Sequence, residues 1–355
     1  MSLSTLTLES QADYAVLSEP ALDAIGEIGD RLLRVHGAGL AVEPVWDAGA
    51  GVDDDALVSL AALALRDAID PYLDLLEREL GYAPVTPWRV ASQLFHDRIG
   101  GLIDLSPLAG RCYRKPLGYA GDFEMMNMLY RNESLGDTLF GRALSRIVLD
   151  TDAAQAVRNR VHYLAGKIRA TIARREPGQP ARLLSVASGP AMEIQYLLRT
   201  DPGLLAAGRA EISLLDQDPS ALKHSREQIE ALAAQAGIEI TLRCYNTSIR
   251  TVIAEGLTGF YDLIYSAGLF DYLKDHTARA AGSQLVSALA PGGQAVIGNF
   301  AAVNPSRPMQ ELLLDWPLLH RSTDDLRRLF GDLGSGITIE QEGTGVNLFA
   351  LITAW

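Results

Sequence analysis

The sequence predicts an α/β fold in its second half and an all-helical region in its first half. From about residue 181 onward, short apolar segments typical of buried strands alternate with segments of helical periodicity, which is the pattern of a mostly parallel sheet. Residues 10–80 show helical periodicity and no strand-like segment. The last two strand-like segments, 337–342 and 346–353, are joined by a short turn with two glycines. We therefore expect a hairpin, and with it an antiparallel strand at the C-terminal end of the sheet.

The change of pattern divides the chain into two predicted domains. Helical segments at 57–80, 88–106 and 138–149 precede the first strand-like segment. The most apolar of them, 57–80, carries charged residues along its length, which indicates an amphipathic helix and not a membrane span. We place an all-helical cap or lid domain at 1–150 and the α/β domain at 151–355.

Composition limits the partners and the compartment that we expect. The 355-residue chain has a net charge of −13, and nucleic acids and anionic membranes are bound by basic surfaces, so we expect neither as a partner. Two cysteines, Cys112 and Cys244, are too few for a disulfide framework, which favours the cytoplasm. Residues 1–9 lack the features of a secretion signal. The histidines show no metal-ligand spacing, so we expect no metal.

A strand followed by a turn of small residues is the most informative feature of the sequence. The apolar segment 182–187 ends in small side chains, and a helical pattern follows. Small side chains let a ligand approach the backbone, and the free N–H groups at the start of a helix favour a polar or anionic part of that ligand. The residues that we expect at this ligand are Ser185, Ala187, Ser188, Gly189 and Pro190.

An acidic residue ends the next predicted strand. Asp216 follows the apolar segment that begins near residue 211, about twenty-five residues after the turn. A carboxylate at that place is suited to accept hydrogen bonds from the two hydroxyls of a ribose. Asp218 is the alternative, and it could instead cap the helix that begins at Pro219. Turn and acid together predict a site for a nucleoside cofactor.

Several further motifs resemble those of a known family. They are Lys-Pro-Leu-Gly-Tyr-Ala-Gly-Asp at 115–122, Ser-Gly-Pro-Ala at 188–191, Leu-Asp-Gln-Asp-Pro at 215–219, and the segments 265–272, 289–293, 297–300, 315–316 and 345–349. The chain resembles class I S-adenosylmethionine-dependent methyltransferases. Within them it is most similar to the group named extracellular-factor 3-hydroxypalmitic acid methyl ester biosynthesis proteins. The resemblance implies a Rossmann-like sheet that binds S-adenosyl-L-methionine.

The first motif departs from the general pattern of the family. That pattern is an acid followed by three glycines at every second position, and here Ser185, Ala187, Gly189 and Ala191 stand at the four places. The resemblance implies that Asp216 binds the ribose and that Gln217 lies beside the adenosine. It also implies that Asn246 and Thr247, after the third strand, contact the adenine. The alternative for 246–248 is a turn that caps the next helix.

The fourth predicted strand ends at a loop that we expect near the reaction centre. In open α/β sheets, ligands bind beyond the carboxyl ends of the strands, so Ser266 and Ala267 should lie at the cofactor. Asp271 and Tyr272 could orient a substrate as catalytic residues, or could cap the following helix.

A glycine-flanked aromatic lies in the helical region. In Gly-Tyr-Ala-Gly-Asp at 118–122, two glycines indicate a sharply folded loop. We expect this loop to be a lid, with Tyr119 and Asp122 as catalytic residues facing cofactor or substrate. The alternative is a turn between two helices. The methionines that follow are expected to pack in the core.

The remaining candidates are substrate-binding residues. Arg158 and Arg160 precede the first strand and could pair with a substrate carboxylate, or could form structural ion pairs. Asn299 ends the fifth strand-like segment, and Trp316 and Arg321 follow it, where this fold often inserts substrate-binding elements.

The sequence thus predicts a methyltransferase that acts on a small molecule. The group resembled implies a carboxylic acid that becomes a methyl ester in secondary or signal metabolism. An ionised carboxylate needs no base, so approach and alignment would supply most of the acceleration. The alternative is an enzyme of the same fold that does not methylate and instead catalyses an intramolecular cyclisation, such as aziridine formation by amine alkylation, or an elimination.

Overall fold

The computed structural model describes residues 17–39, 54–81, 85–176 and 178–355. The N-terminal segment 1–9, in which we expect no secretion signal, lies outside these residues. The chain divides into two compact units. Unit 1 contains the described residues up to Ala154 together with Pro305–Pro317, and unit 2 contains Gln155–Asn304 and Leu318–Trp355.

The described residues of unit 1 form helices joined by turns and contain no named strand, as the sequence predicts. Its helices are α1 (Glu19–Gly39), α2 (Asp54–Leu80), α3 (Val85–Ile99), α4 (Pro107–Arg114), α5 (Phe123–Arg131) and α6 (Leu139–Leu149), with a 3₁₀ segment at Gly100–Leu105 and a π-helical turn at Met309–Leu313. Helix α1 buries Ile25, Ile28 and Leu32, whose spacing places them on one helix face. None of the described helices has the length and apolar character that crossing a membrane requires.

Side-chain caps fix where several of these helices begin. The hydroxyl of Ser106 accepts from the backbone of Ala109 at the start of α4, and that of Thr138 accepts from Gly141 at the start of α6. Such caps stabilise a helix by about 1 kcal/mol each because they satisfy N–H groups that lack an intrahelical partner.

Unit 2 alternates strands and helices. In chain order its elements are α7 (Asp152–Ala173, which begins in unit 1), β1 (Ala181–Val186), α8 (Met192–Thr200), β2 (Ala210–Asp216), α9 (Pro219–Gln235), β3 (Thr241–Asn246), α10 (Ile249–Glu255), β4 (Tyr261–Ser266), α11 (Asp275–Ser287), β5 (Leu289–Phe300), α12 (Thr323–Phe330), β6 (Gly336–Gln341) and β7 (Asn347–Thr353). Short 3₁₀ segments occur at Pro202–Leu205 and Phe270–Tyr272.

The seven strands form one sheet in the order β3-β2-β1-β4-β5-β7-β6. Strands β1 to β5 pair in parallel, whereas β7 runs antiparallel to both β5 and β6. This confirms the predicted α/β fold, including the C-terminal hairpin. The order and direction of the strands are those of the Rossmann-like methyltransferase sheet.

Both faces of the sheet are covered, which explains why its inner strands are apolar on successive residues. On one face Leu183 packs with Ile168 of α7 and Leu197 of α8. On the other face Leu184 packs with Leu285 of α11 and Phe330 of α12. Since neighbouring residues of a strand point to opposite faces, each of these strands contributes to two cores.

Gly141 tests the packing of unit 1. A Cβ atom at Gly141 would overlap the backbone carbonyl oxygen of Leu105, so we expect Gly141→Ala to lower the free energy of unfolding by at least about 2 kcal/mol. Gly166, in the exposed part of α7, has no atom within 4 Å of such a Cβ. As the matched control, Gly166→Ala should stabilise by up to about 1 kcal/mol through helix propensity. Thermal unfolding followed by circular dichroism measures both, and equal stability of the two variants would contradict this packing.

Candidate functional site

The candidate site lies where the strand order of unit 2 reverses. Strand β1 pairs with β2 on one side and with β4 on the other, so the connections from these two strands lead away from each other. In open α/β sheets this arrangement leaves a crevice at the carboxyl ends of the two central strands. The predicted cofactor residues are in or directly after β1, β2, β3 and β4.

The turn after β1 has an alternating backbone conformation. Ala187, Gly189 and Ala191 have φ angles of 52°, 50° and 48°, all in the left-handed region. These are the three positions at which the family pattern has glycine. An alanine in that conformation costs about 1 kcal/mol or more, so Ala187 and Ala191 hold a backbone shape that glycine adopts without this cost.

Side chains from three elements hold this turn in place. The carboxylate of Asp216 accepts from the backbone N–H of Gly189 at 2.9 Å. The hydroxyl of Ser225 donates to the carbonyl of Gly189 at 2.6 Å, and the amide of Gln195 donates to the carbonyl of Pro190 at 2.7 Å. Such contacts keep residues in a conformation that costs energy by itself.

Asp216 joins the turns that follow β1 and β2. Its second oxygen accepts from the backbone N–H of Asp218 at 2.9 Å. Burial raises the pKa of the Asp216 carboxyl, and the hydrogen bonds from the backbone of Asp218 and Gly189 oppose this shift. Each carboxylate oxygen can accept more than one hydrogen bond, so the group retains capacity for ribose hydroxyls. The side chain of Asp218 accepts from Ser220 and caps α9, which is the alternative that the sequence left open.

The end of β3 is tied to the end of β2. The side-chain amide of Asn246 donates to the carbonyls of Asp216 and Gln217, at 3.1 and 3.0 Å. The backbone N–H of Thr247 donates to the same Asp216 carbonyl. Ser248 caps α10 by accepting from Thr251. The capping turn foreseen for 246–248 is therefore present, and the exposed side of Asn246 stays available to a ligand.

Two buried hydroxyls at the crevice have no hydrogen-bond partner. Ser188, just after β1, is 9% exposed, and Ser266, the last residue of β4, is 1% exposed. A buried hydroxyl without a partner costs about 1–3 kcal/mol. Both belong to the set of predicted cofactor residues, and their polar atoms fit a ligand that carries hydrogen-bonding groups.

A buried tyrosine and a glutamate lie beside Ser185. The hydroxyl of Tyr265 donates to the carboxylate of Glu193 at 2.7 Å, and Tyr265 stands opposite Ser185 in the paired strands β4 and β1. Neither Glu193 nor Tyr265 is among the site residues predicted from the sequence. The available signal was the position of Glu193 one helical turn before the buried Leu197, because an acid on the buried face of a helix calls for a specific partner.

The loop after β4 is anchored through Asp271. This residue is 4% exposed, and its carboxylate accepts from the backbone N–H of Phe300 at 2.6 Å. Burial raises the pKa of Asp271 to about 7, against the opposing effects of the Phe300 hydrogen bond and of the charges on Arg160 and Arg321. Tyr272, next in the chain, is exposed.

Arg321 holds the same loop. Its guanidinium donates to the carbonyls of Phe270 and Leu273, to the side chain of Asn299 and to Asp275. Asn299 in turn donates to the backbone of Phe300 and Leu319. These two predicted substrate residues thus make a dense set of contacts within unit 2.

The other predicted arginines are on α7. Arg160 is buried, and its guanidinium lies 3.5 Å from the carbonyl of Ala267. Arg158 donates to the side chain of Gln155 at 2.9 Å on the same helix.

Tyr119, Asp122 and Trp316 belong to unit 1. Asp122 is buried, caps α5 through the backbone of Met125, and forms a two-pronged ion pair with Arg111. Tyr119 is half-buried and Trp316 is buried. The methionines Met125, Met126 and Met128 are buried, as expected of a core stripe.

The described residues contain no cluster of three or more His, Cys, Asp or Glu side chains placed to hold a metal ion. Cys112 and Cys244 are both free thiols.

Comparisons with known proteins add evidence on the fold. No family model matches the sequence, and no curated protein matches it. Among solved structures, a possible exported protein from Bordetella parapertussis is 18% identical, with a TM-score of 0.52, over 100% of this chain and 99% of that chain. This likeness shows that the two proteins share a fold.

Two solved methyltransferases are also similar. Magnesium protoporphyrin IX methyltransferase from Synechocystis PCC 6803, with S-adenosylhomocysteine bound, is 11% identical over 70% of this chain and 100% of that one, with a TM-score of 0.45. N-methyltransferase NodS from Bradyrhizobium japonicum WM9, also with S-adenosylhomocysteine, is 16% identical over 56% and 87%, with a TM-score of 0.37. At these values neither structure supports an assignment of activity.

The left-handed conformation of the two alanines in the turn leads to a prediction about stability. Ala187 is exposed, so Ala187→Gly should relieve the left-handed conformation at the cost of glycine entropy, a net gain of roughly 0.5 kcal/mol in the free energy of unfolding. Ala191 is fully buried, and Ala191→Gly also loses about 0.8 kcal/mol of methyl burial, so it should bring no gain. Urea unfolding measures both, and destabilisation by Ala187→Gly would contradict the turn geometry.

The raised pKa of Asp271 leads to a prediction about how stability depends on pH. Between pH 4 and 7 the folded protein keeps this proton while the unfolded chain loses it, so this group makes stability fall as pH rises through that window. Asp271→Asn removes the effect. Relative to the wild type, the variant should therefore gain on the order of 2 kcal/mol between pH 5 and pH 8.

The measurement is urea unfolding at both pH values, with Asp324→Asn, at an exposed residue of α12, as the control. The control changes an exposed side chain and should alter the free energy of unfolding by less than about 0.5 kcal/mol. If the difference in free energy of unfolding between Asp271→Asn and the wild type is the same at pH 5 and pH 8, Asp271 ionises as an ordinary carboxyl.

Proposed function

We propose that this chain is an S-adenosylmethionine-dependent methyltransferase that acts on a small molecule. The observation that carries the proposal is the pair of buried hydroxyls without partners, Ser188 and Ser266, at the ends of the two central strands. They lie where the strand order reverses, beside a turn with three residues in the left-handed conformation. A polar ligand with a nucleoside part satisfies both features.

Each part of the site has a role in holding that cofactor. The ligand can approach the backbone of the turn at 187–191 closely, because no side chain of this turn is larger than that of serine or proline. Asp216 accepts the ribose hydroxyls, and Gln217, Asn246 and Thr247 lie along the adenosine. Ser266 and Ala267 face the methionine end.

When bound, the cofactor supplies a sulfonium methyl group: an acceptor lone pair forms a bond to the methyl carbon, the carbon–sulfur bond breaks, and sulfur takes the electron pair. The anchored loop after β4 keeps its shape through Asp271 and Arg321, which favours a fixed alignment. We propose a carboxylic acid acceptor that yields a methyl ester in signal or secondary metabolism, as the resembled group implies.

We further propose that the helical region 1–150 is a lid domain. The loop at 118–122 is held through Asp122 by Arg111, which supports a fixed presentation of Tyr119. In this proposal Tyr119 belongs to the lid, the lid excludes water from the reaction, and Tyr272 of unit 2 contacts the substrate.

We also propose a cytoplasmic location. The free thiols Cys112 and Cys244 support residence in the reducing cytoplasm.

Calorimetric titration with S-adenosylhomocysteine (SAH) tests the cofactor. We expect micromolar binding to the wild type and a loss of at least about a hundredfold in Asp216→Ala, because this change removes the charged ribose partner and one anchor of the turn. The matched control is Asp218→Ala. It removes a helix cap two residues away, so it should cost about 1 kcal/mol of stability and leave the affinity within threefold.

Absence of binding to folded wild-type protein that is free of copurified ligand would refute the proposal. Binding of S-adenosylmethionine with no methylated product from any acid, amine or hydroxyl acceptor would favour the non-methylating alternative.

A further inference from the structure

The carboxyl end of β1 lacks the acid that the family motif has there. Position 185 is a serine, 5% exposed, and it cannot supply a negative charge. Any negative charge at this end of the crevice must therefore come from another element.

Glu193 brings a carboxylate to this place from the following helix. It lies in the first turn of α8 and is 6% exposed. Strands β1 and β4 pair with Ser185 opposite Tyr265, and the hydroxyl of Tyr265 donates to the carboxylate of Glu193 at 2.7 Å. The acid missing from the strand is thus replaced, through one tyrosine, by an acid on the helix.

The surroundings of Glu193 favour a cationic ligand group. Burial raises the pKa of its carboxyl, while the Tyr265 hydrogen bond and the charge of Arg160 oppose that shift. A buried carboxylate gains most from a nearby positive charge. It also occupies the N-terminus of α8, the end of a helix that otherwise attracts anions.

One of the hydroxyls without a partner belongs to the segment that leads to this carboxylate. Ser188 lies in the turn between Ser185 and α8, five residues before Glu193. The amino-acid end of the proposed cofactor carries one ammonium and one carboxylate. A negative charge on α8 selects the ammonium for this side of the crevice and repels the carboxylate.

We propose that Glu193, in place of the residue at 185, is the acid that meets the ammonium group of the cofactor's amino-acid end. This inference rests on the proposed function. It makes Glu193 a cofactor-binding residue, with Tyr265 and Ser185 as positioning residues that hold its carboxylate.

Two ligands separate this role from a structural one. SAH has the amino-acid end, and 5′-methylthioadenosine lacks it while keeping the nucleoside and the sulfur. We expect Glu193→Gln to weaken SAH binding about tenfold, the value of a charge-assisted hydrogen bond, and to change 5′-methylthioadenosine binding less than twofold. Glu230→Gln, at an exposed position of α9, makes the same change of net charge and should alter neither affinity.

Moving the acid from α8 back to β1 tests whether Glu193 takes the place of the acid that the family motif has in the strand. In the double variant Ser185→Asp with Glu193→Gln, the carboxylate returns to the strand, and we expect SAH affinity to recover to within threefold of the wild type. If Glu193→Gln does not fold, Glu193→Asp takes its place, since it keeps the charge but shortens the side chain and should also lose SAH selectively.

The outcomes are distinct. Equal weakening of both ligands in the Glu193 variants, or no recovery in a folded double variant, would overturn this inference and leave Glu193 as a structural residue. Failure of the wild type to bind either ligand would overturn the proposed function instead. Selective loss of SAH with recovery in the double variant would establish the role of Glu193.

Discussion

The two hydrogen bonds that Asp216 accepts, from Gly189 and from Asp218, connect the parts of the candidate site. One fixes the turn after β1, and the other fixes the turn after β2. Through the carbonyl of the same residue, Asn246 and Thr247 bring in the end of β3. A single buried residue therefore links three strand ends, two through its carboxylate and one through its backbone carbonyl, and any ligand that contacts it is placed relative to all three.

The turn after β1 carries backbone strain. Ala187 and Ala191 adopt left-handed conformations that glycine would adopt at lower energy. They persist because Ser225, Gln195 and Asp216 satisfy the polar groups of the turn from outside. Strain of this kind that is held by surrounding contacts is typical of preorganised binding sites, and the buried hydroxyls of Ser188 and Ser266 add a second local cost that a ligand can offset.

After β4 and β5, charged residues hold a loop in one conformation. Arg321 donates to two carbonyls of the loop that begins at Phe270, and Asp271 accepts from the backbone of Phe300. The sequence marked these residues as candidates for chemistry. Their contacts show how a loop at the carboxyl end of the sheet keeps one shape. A loop that is held in this way fixes the position from which an exposed side chain such as Tyr272 extends.

The sequence by itself determined the fold class, the division into a helical and an α/β part, and the strand ends at which ligand residues should lie, because these depend on periodicity and on small or acidic residues at fixed intervals. It could not decide whether a turn with two alanines keeps the glycine conformation, since that depends on contacts with Ser225 and Asp216, which are distant in sequence. Nor could it show that Asp218 caps α9, or find the contact of Glu193 with Tyr265. Only tertiary structure decides those questions, because the partner that gives each buried polar group its role comes from another element of the fold.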